Sequence, residues 1–357
     1  MSKIFTAIPP GTTDIVFDSA LYIRRAIDGF TKVYESEGFR EIITPSIEYY
    51  SAFDFDNQPV HEETMYKFQD CSGKMLVLRP DCTTPVSRVA ATKFKCAVGS
   101  VKFYYNGNVF RSGSGYSGKM GEIIQSGAEI IGTGGKRADL IYIDAALKTL
   151  ESTGLDYKLE IGHIGFYTAI AGKDPEAIGK VSRLFGGGEV FAEAQALAEG
   201  NEKAESVLDY LSDLYDTLSE SGYADRIIID LGIVHELDYY TGIVIGGYVE
   251  GIGESVLSGG RYDNLTANFG KSSPAAGFAI NVNLIAKALE AKEKLSYAAP
   301  DEIVFFAEND FKKALMYKNS HPDKRIELSP YDNHDETKAY ARERCIPTVT
   351  DISGRDA

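Results

Sequence analysis

The sequence lacks any long run of apolar residues. Its longest apolar stretches, such as Ile227 to Ile229 with Leu231, are far shorter than the roughly 20 residues that a membrane-spanning helix requires. Near the start of the chain, a Pro-Pro-Gly turn at residues 9–11 arrives before the apolar core of a secretory signal could develop. We therefore expect no membrane span and a cytoplasmic protein.

The sequence also lacks the cysteine and histidine spacings of metal sites. Its four cysteines form no CxxC pair, and Cys71, Cys82 and Cys96 are spaced too irregularly for a structural zinc site. No two of the five histidines stand at the i, i+4 spacing that places two ligands on one helix face. We therefore expect reduced structural thiols, no metal and no cofactor.

Basic residues are scarce. The chain has 37 lysines and arginines against 52 aspartates and glutamates, which gives a formal charge of −15. An average surface of this sign repels polyphosphate and gains little from counterion release, so nucleic acid is not an expected partner. In contrast, 357 residues with 44% hydrophobic content can bury a large core in two or three units.

The pattern of apolar residues predicts an α+β protein, with a mostly antiparallel sheet backed by helices. A helix is expected from about residue 18 to 36, capped by Asp14, and SGGRYDNL (residues 258–265) is expected to form a turn. The extended segment that follows the helix should bend at Pro45. We expect a core domain over residues 1–299, with a helical insertion at about 174–222, and a small α/β domain over 300–357.

Two polar groupings follow predicted strands. Asp81 and Thr83 come after a hydrophobic strand, and a carboxylate beside a hydroxyl suits an ammonium or a ring N–H, although an ordinary polar turn has the same composition. Arg111 ends another strand, and Gln125 and Glu129 share one face of the next. That face could hold a polar ligand or be exposed to solvent.

A third grouping combines aromatic rings with glycines. Tyr239 and Tyr240 offer rings with hydroxyl tips, and Gly259 and Gly260 permit close backbone approach. Aromatic pairs of this kind are also common in hydrophobic cores. This grouping alone therefore does not distinguish a ligand site from core packing.

The order of these pieces is more specific than any one of them. LRPDCT, then FR with its glutamine and glutamate, then LDYYTG and SGGRYD, resembles the class II aminoacyl-tRNA synthetase core and, within it, the histidyl enzyme, over about residues 8–295. The resemblance implies an antiparallel sheet flanked by helices, a C-terminal unit that is a shortened anticodon-binding domain, and a homodimeric core with Pro45 in the dimer motif. It also implies a histidine-binding site made of Asp81, Thr83, Arg111, Gln125, Glu129, Tyr239 and Tyr240. Of these, Arg111 matches the arginine that meets the α-phosphate.

Departures from that family pattern concern positive charge. His235 and Glu236 stand where the histidyl enzymes have arginine and glycine, and Leu284 replaces a phosphate-binding arginine. Serine and glycine also follow Arg111, where the family has an acidic residue two positions on. Only Arg111 and Lys119 remain as cations. Because amino-acid activation needs several preorganised cations, we expect no catalytic residues and no catalysis.

A synthetase core without activation chemistry resembles the regulatory subunits of ATP phosphoribosyltransferase. This resemblance implies a non-catalytic subunit that the short catalytic subunit requires for activity, and that carries histidine feedback in the first step of L-histidine biosynthesis. The implied partners are L-histidine and the short catalytic subunit, around a homodimeric core within a hetero-oligomer, for which a hetero-octamer is one arrangement. Two alternatives stay open, namely an active histidyl-tRNA synthetase and a stand-alone amino-acid-binding or scaffold protein.

Overall fold

The computed structural model describes residues 7–56, 58, 60–96, 99–112, 121–170, 175–233 and 240–354. Contacts within the chain divide it into two compact units, Met1–Leu295 and Ser296–Ala357. The boundary expected from the sequence lies a few residues further along the chain. In the described part of the protein, no helix combines the length and the apolar composition needed to cross a membrane.

The first unit is built on a large sheet. Its strands and those of a smaller sheet are β1 (Arg40–Glu41), β2 (Ile47–Tyr49), β3 (Lys67–Gln69), β4 (Met75–Leu78), β5 (Val101–Phe110), β6 (Glu122–Ile131), β7 (Tyr157–His163), β8 (Phe185–Gly186), β9 (Ile227–Asp230), β10 (Ile243–Val249), β11 (Leu257–Arg261) and β12 (Ala275–Asn281). Within the described residues, nine strands form the large sheet in the order β1-β5-β6-β12-β11-β10-β7-β9-β8, and β2-β4-β3 form the smaller one. Neighbours from β5 to β7 in this order are antiparallel, whereas β1 and β9 join in parallel.

Helices cover one face of the large sheet. The helices of the first unit are α1 (Phe17–Ser36), α2 (Thr83–Thr92), α3 (Lys136–Glu151), α4 (Ile164–Ile170), α5 (Pro175–Val181), α6 (Val190–Ala198), α7 (Glu202–Leu218) and α8 (Val282–Lys292). Tyr22, Ala26, Phe30 and Tyr34 recur every four residues on α1, so they form one buried stripe. This stripe joins residues of α3, α8 and the sheet in the main hydrophobic core.

The other face of the large sheet carries the polar residues. In β6, Ala128 and Ile130 face the main core, so Gln125 and Glu129 point to the opposite side. Helix α2 packs on that side within a second cluster, which includes Val86, Phe103 and Tyr262. A sheet with one helix-covered face and one partly open face therefore supports the cleft described below.

The second unit is a small α/β structure. Strand β13 (Glu302–Phe305) lies between β14 (Ile326–Leu328) and β15 (Val349–Asp351), and both pairings are parallel. Helices α9 (Phe311–Asn319) and α10 (His334–Glu343) alternate with these strands along the chain. Parallel strands need such crossover helices, which the sequence pattern already indicated.

Two local expectations were wrong. Asp14 does not cap α1, whose N-cap is Val16 without a side-chain hydrogen bond. SGGRYDNL does not open as a turn, because residues 258–261 belong to β11. Its glycines allow close packing instead: a β-carbon at Gly259 would lie 2.4 Å from the carbonyl oxygen of Gly277 on β12. The sequence pattern also gave no prediction of β7, which pairs with β10 and β9.

Candidate functional site

A cleft opens on the polar face of the large sheet. Its volume, mouth included, is about 420 Å³. Six residues predicted for the site line it together: Asp81, Thr83, Arg111, Gln125, Glu129 and Tyr240. The seventh, Tyr239, lies outside the described residues, as do His235, Glu236 and Lys119.

Glu129 forms the floor of the cleft and is fully buried. The Thr83 hydroxyl donates to Oε1 at 2.8 Å, and the Tyr262 hydroxyl donates to Oε2 at 2.5 Å. Burial is the main cause that raises the pKa of Glu129 to about 8, with a contribution from the nearby charge of Asp81, while the two hydroxyls lower it. The carboxyl group therefore titrates close to neutral pH.

Two glycines on neighbouring strands make room for the side chains of Glu129 and Tyr240. Gly277 pairs with it across the sheet, and a β-carbon there would lie 1.7 Å from Oε2. One strand further, a β-carbon at Gly260 would lie 2.8 Å from the ring of Tyr240. The Glu129 carboxylate and the Tyr240 ring thus each lie over a glycine, on the same face of adjacent strands.

Asp81 has two structural partners as well as a place in the cleft. Its carboxylate accepts hydrogen bonds from the backbone N–H of Thr84 at 2.7 Å and from the Thr84 hydroxyl at 3.1 Å. These bonds hold the first turn of α2, as an acidic residue before a helix commonly does. Burial raises the pKa of Asp81, and the positive charge of Arg111 lowers it. Asp81 is therefore both part of a turn and part of the cleft wall.

Arg111 is the one cation among the described residues that line the cleft. Its Nε donates to the carbonyl oxygen of Pro80 at 3.1 Å, which fixes the side chain beside Asp81. Two other buried arginines nearby have partners elsewhere. Arg79 donates to the carbonyl oxygens of Thr44 and Asn108, at 2.8 and 2.7 Å.

Arg261 is the second of these arginines. It forms an ion pair with the buried carboxylate of Asp139 at 2.5 Å and another with Asp263 at 2.8 Å. Asp139 also accepts a hydrogen bond from Tyr210 of α7. The arginine of the SGGRYD motif therefore connects β11 to α3, and it does not line the cleft.

Leu284 lies where the synthetase pattern has a phosphate-binding arginine. It is in the first turn of α8, where its backbone N–H donates to the N-cap side chain of Asn281 at 3.2 Å. Its own side chain packs against the main hydrophobic core. The neighbouring Asn283 accepts a hydrogen bond from the backbone of Ile124 at 2.8 Å. Neither residue 283 nor residue 284 lines the cleft.

Sequence reasoning missed several cleft residues. Tyr262 lines the cleft and is almost fully buried, and Ser258 and Gly277 also line it. Tyr262 belongs to the SGGRYD motif, but a motif does not show that this hydroxyl reaches a carboxylate on a strand 133 positions away. Among the described residues, no cluster of histidine, cysteine and acidic side chains could hold a metal ion.

Comparisons with known proteins identify the family. A family model described as Histidyl-tRNA synthetase matches residues 11–179 and 173–285. A protein of Clostridium acetobutylicum named ATP phosphoribosyltransferase regulatory subunit is 37% identical over 384 residues, which covers 96% of this chain and 94% of the relative. The chain belongs to the ATP phosphoribosyltransferase regulatory subunit family. A relative of the same name from Bacillus cereus is 34% identical over 395 residues, with 98% of this chain and 93% of the relative covered.

Solved structures give the same fold. A crystal structure titled ATP phosphoribosyltransferase regulatory subunit/histidyl-tRNA synthetase, from Bacillus halodurans, superposes with a TM-score of 0.87 at 25% identity, over 99% of this chain and all of that one. The histidyl-tRNA synthetase of a Nostoc species superposes with a TM-score of 0.75 at 18% identity, over 95% and 89% of the two chains. The family and the class II synthetase-like α+β fold predicted from the motifs are confirmed.

This member of the regulatory subunit family keeps acidic and hydroxyl groups in its cleft but has little positive charge there. The described lining has two carboxylates, from Asp81 and Glu129, and one guanidinium, from Arg111. Such a site suits a ligand with N–H donors. It offers few groups to a triphosphate, whose transfer chemistry depends on several fixed cations.

Proposed function

We propose that this protein is the regulatory subunit of an ATP phosphoribosyltransferase and performs no catalysis of its own. It associates with the short catalytic subunit, which requires it for activity, and it carries histidine feedback to the first step of L-histidine biosynthesis. The names of the relatives support this function, since they cover nearly the whole chain at 34 to 37% identity. We also propose that the second unit is a shortened relative of an anticodon-binding domain.

One observation carries the proposal: the cleft combines a buried carboxylate held by hydroxyls with a lining that has a single described cation. Amino-acid activation places negative charge on ATP and on the transition state, and a site with one guanidinium stabilises that charge poorly. Leu284, which is partly buried and packs against the main core, likewise supplies no guanidinium at that point of α8. The cleft is thus suited to binding an amino acid without activating it.

L-histidine is the ligand that we propose for this cleft. Its ammonium and its imidazole N–H can donate hydrogen bonds to Asp81 and Glu129, and the positive charge of the bound ammonium would favour the ionised form of Glu129, whose pKa is about 8 without ligand. Gln125 and Tyr240 line the same space and offer further polar contacts. Tyr239 completes the proposed set, together with Thr83 and Arg111.

A homodimer is proposed through the segment around Pro45. This segment is exposed, and apolar side chains of Ile43, Ile47 and Tyr49 point to solvent with 84, 49 and 51% of their surface exposed. Phe68 on β3 is also exposed, and because Tyr49 and Phe68 both pair with Leu76 of the intervening strand β4, they lie on one face of the smaller sheet. A contiguous apolar surface of this kind is typical of an interface.

The deciding experiment measures phosphoribosyl transfer by a short catalytic subunit, with and without this chain, across a histidine titration. We expect activity that depends on the chain and falls as histidine rises. By linkage, the catalytic subunit must change the histidine affinity of the chain by the same factor by which histidine changes the affinity between the subunits. Unchanged activity would support a stand-alone binding protein, and histidine-dependent exchange of pyrophosphate into ATP would support an active synthetase.

Variants test whether the cleft is the histidine site. Glu129→Ala and Tyr240→Ala should each weaken histidine binding at least tenfold, since a hydrogen bond to a charged group contributes about 1.5–3 kcal/mol and about 1.4 kcal/mol is a factor of ten. Glu254→Ala is the control, because Glu254 is exposed in the turn before β11. Titration calorimetry measures all three affinities. Unchanged affinity in both cleft variants would place histidine elsewhere.

A further inference from the structure

Tyr262 belongs to the SGGRYD motif, but the motif assigns no role to its side chain. It follows β11 directly, and its backbone N–H donates to the carbonyl oxygen of Ala275 at 2.8 Å, so the main chain is fixed beside β12. The side chain is almost fully buried, and its hydroxyl ends at Oε2 of Glu129. Tyr262 therefore reaches one carboxylate oxygen, Oε2, whereas Thr83 in the first turn of α2 reaches the other, Oε1.

Glu129 is held between two hydroxyls that belong to different parts of the fold. Thr83 at the start of α2 occupies one lone pair of Oε1, and Tyr262 occupies one lone pair of Oε2. A carboxylate has about four lone-pair directions, so acceptor positions remain for a ligand. The plane of the carboxylate is fixed by the two hydroxyls together, and removal of either would free it to rotate.

We propose that Tyr262 is a positioning residue that determines ligand specificity: it holds the Glu129 carboxylate as a fixed hydrogen-bond acceptor for the ring N–H of a heteroaromatic amino acid. This inference rests on the proposed histidine site. A phenol that donates to Oε2 favours the charged, accepting form of the carboxyl group. Without this donor, the pKa of the buried group rises further, and the oxygen that carries the proton no longer accepts a hydrogen bond from the ring N–H of a ligand.

The surroundings of Glu129 make its protonation sensitive to such a change. Titratable groups face it from several elements: Asp81 and Cys82 before α2, Tyr105 on β5, Tyr262 after β11, and Tyr34 of α1 from across the sheet. In the described residues, no lysine or arginine forms an ion pair with Glu129. The two hydroxyl donors therefore have a large share in stabilising its charged form.

The first test measures the ionisation of Glu129 in the full chain without ligand. Infrared spectra of wild type minus Glu129→Gln isolate its carboxyl band, and a pH titration of that band gives the pKa. Tyr262→Phe should shift the titration to higher pH, because a hydrogen bond that lowers the pKa is lost. Tyr142→Phe is the matched control. Tyr142 is fully buried, and its hydroxyl has no hydrogen-bond partner among the described residues, so no shift is expected.

The second test compares two ligands. β-(2-Thienyl)-L-alanine has a five-membered ring but no ring N–H, so calorimetry should show that Tyr262→Phe weakens histidine about tenfold or more and leaves the thienyl ligand nearly unchanged. If wild type binds no histidine but the carboxyl band still shifts, the proposed ligand is wrong and the positioning role stands. If histidine binds and neither the band nor the selectivity changes, the role of Tyr262 is wrong and the proposed function stands.

A further variant covers the case in which Tyr262→Phe does not fold. 3-Fluorotyrosine introduced at position 262 by amber suppression keeps the size of the ring and makes the phenol a stronger donor. The Glu129 titration should then shift to lower pH, opposite to the effect of phenylalanine. A shift to higher pH, or none, would contradict the inference.

Discussion

Replacement of Glu129 by glutamine should stabilise the protein at alkaline pH. In the folded state the pKa of Glu129 is raised to about 8 by burial, whereas an exposed glutamate titrates near 4.5. Between these two values the folded state holds a proton that the unfolded state has lost. The contribution of Glu129 to the free energy of unfolding is therefore largest below pH 4.5, and it falls as the pH rises towards 8.

The structure gives the size of this effect. The two pKa values lie about 3.5 pH units apart, and each unit corresponds to about 1.4 kcal/mol, so the loss approaches about 5 kcal/mol once Glu129 is charged. Glutamine has the same shape and no charge, and its amide oxygen and nitrogen can still bond with the hydroxyls of Thr83 and Tyr262. We expect the stability of Glu129→Gln relative to wild type to increase by about 2–5 kcal/mol between pH 5 and pH 9.

The assay is urea unfolding of both proteins at pH 5, 7 and 9, followed by far-ultraviolet circular dichroism without histidine. Other groups titrate over the same range, but they are common to both proteins and cancel in the difference. A difference that stays constant between pH 5 and pH 9 would refute the reasoning, because the folded-state pKa of Glu129 would then lie at or below its unfolded value.

Two further substitutions test the packing around the cleft. Gly277→Ala should reduce the free energy of unfolding by about 1–3 kcal/mol, because its methyl group would lie 1.7 Å from Glu129 Oε2. Gly253→Ala is the control, since a β-carbon at position 253 would have no atom within 4 Å. Similar melting temperatures for the two variants would contradict this packing. Arg261→Met should cost about 3–5 kcal/mol in urea unfolding, because it leaves the Asp139 carboxylate buried without its cation. A loss below 1 kcal/mol would show that Asp139 is solvated or protonated.

Much of the fold could be predicted because the sequence pattern is regular where helices are amphipathic. The helix expected from about residue 18 to 36 is found at Phe17–Ser36, and its buried stripe is the apolar pattern itself. Strand β11 could not be predicted in the same way. Its Ser-Gly-Gly stretch has the composition of a turn, and only the neighbouring strand, with Gly277 at 2.4 Å from a β-carbon at position 259, explains why side chains are absent.

The candidate site was predictable to the extent that motif residues converge on one cleft. What the motifs did not reveal is how each side chain is used. Arg79 stands two positions before Asp81 in the LRPDCT motif, but its guanidinium donates to the carbonyl oxygens of Thr44 and Asn108 and does not line the cleft. Tyr262 looked like part of a turn, yet it reaches Glu129. Such partners are distant in sequence, and a local pattern carries no information about them.

The arginines near the cleft differ in what they contribute to the fold. Arg261 has a structural partner, because it forms an ion pair with the buried Asp139 between β11 and α3. An arginine that binds only a nucleotide phosphate has no partner within the fold. Its loss therefore leaves no buried charge of the protein unpaired. Leu284 illustrates the consequence, since it adds apolar contact to the main core at a position where an arginine would need a phosphate to compensate it. The buried arginines near the cleft thus have carboxylate or carbonyl partners within the fold, and the cleft itself is lined by acidic and hydroxyl groups.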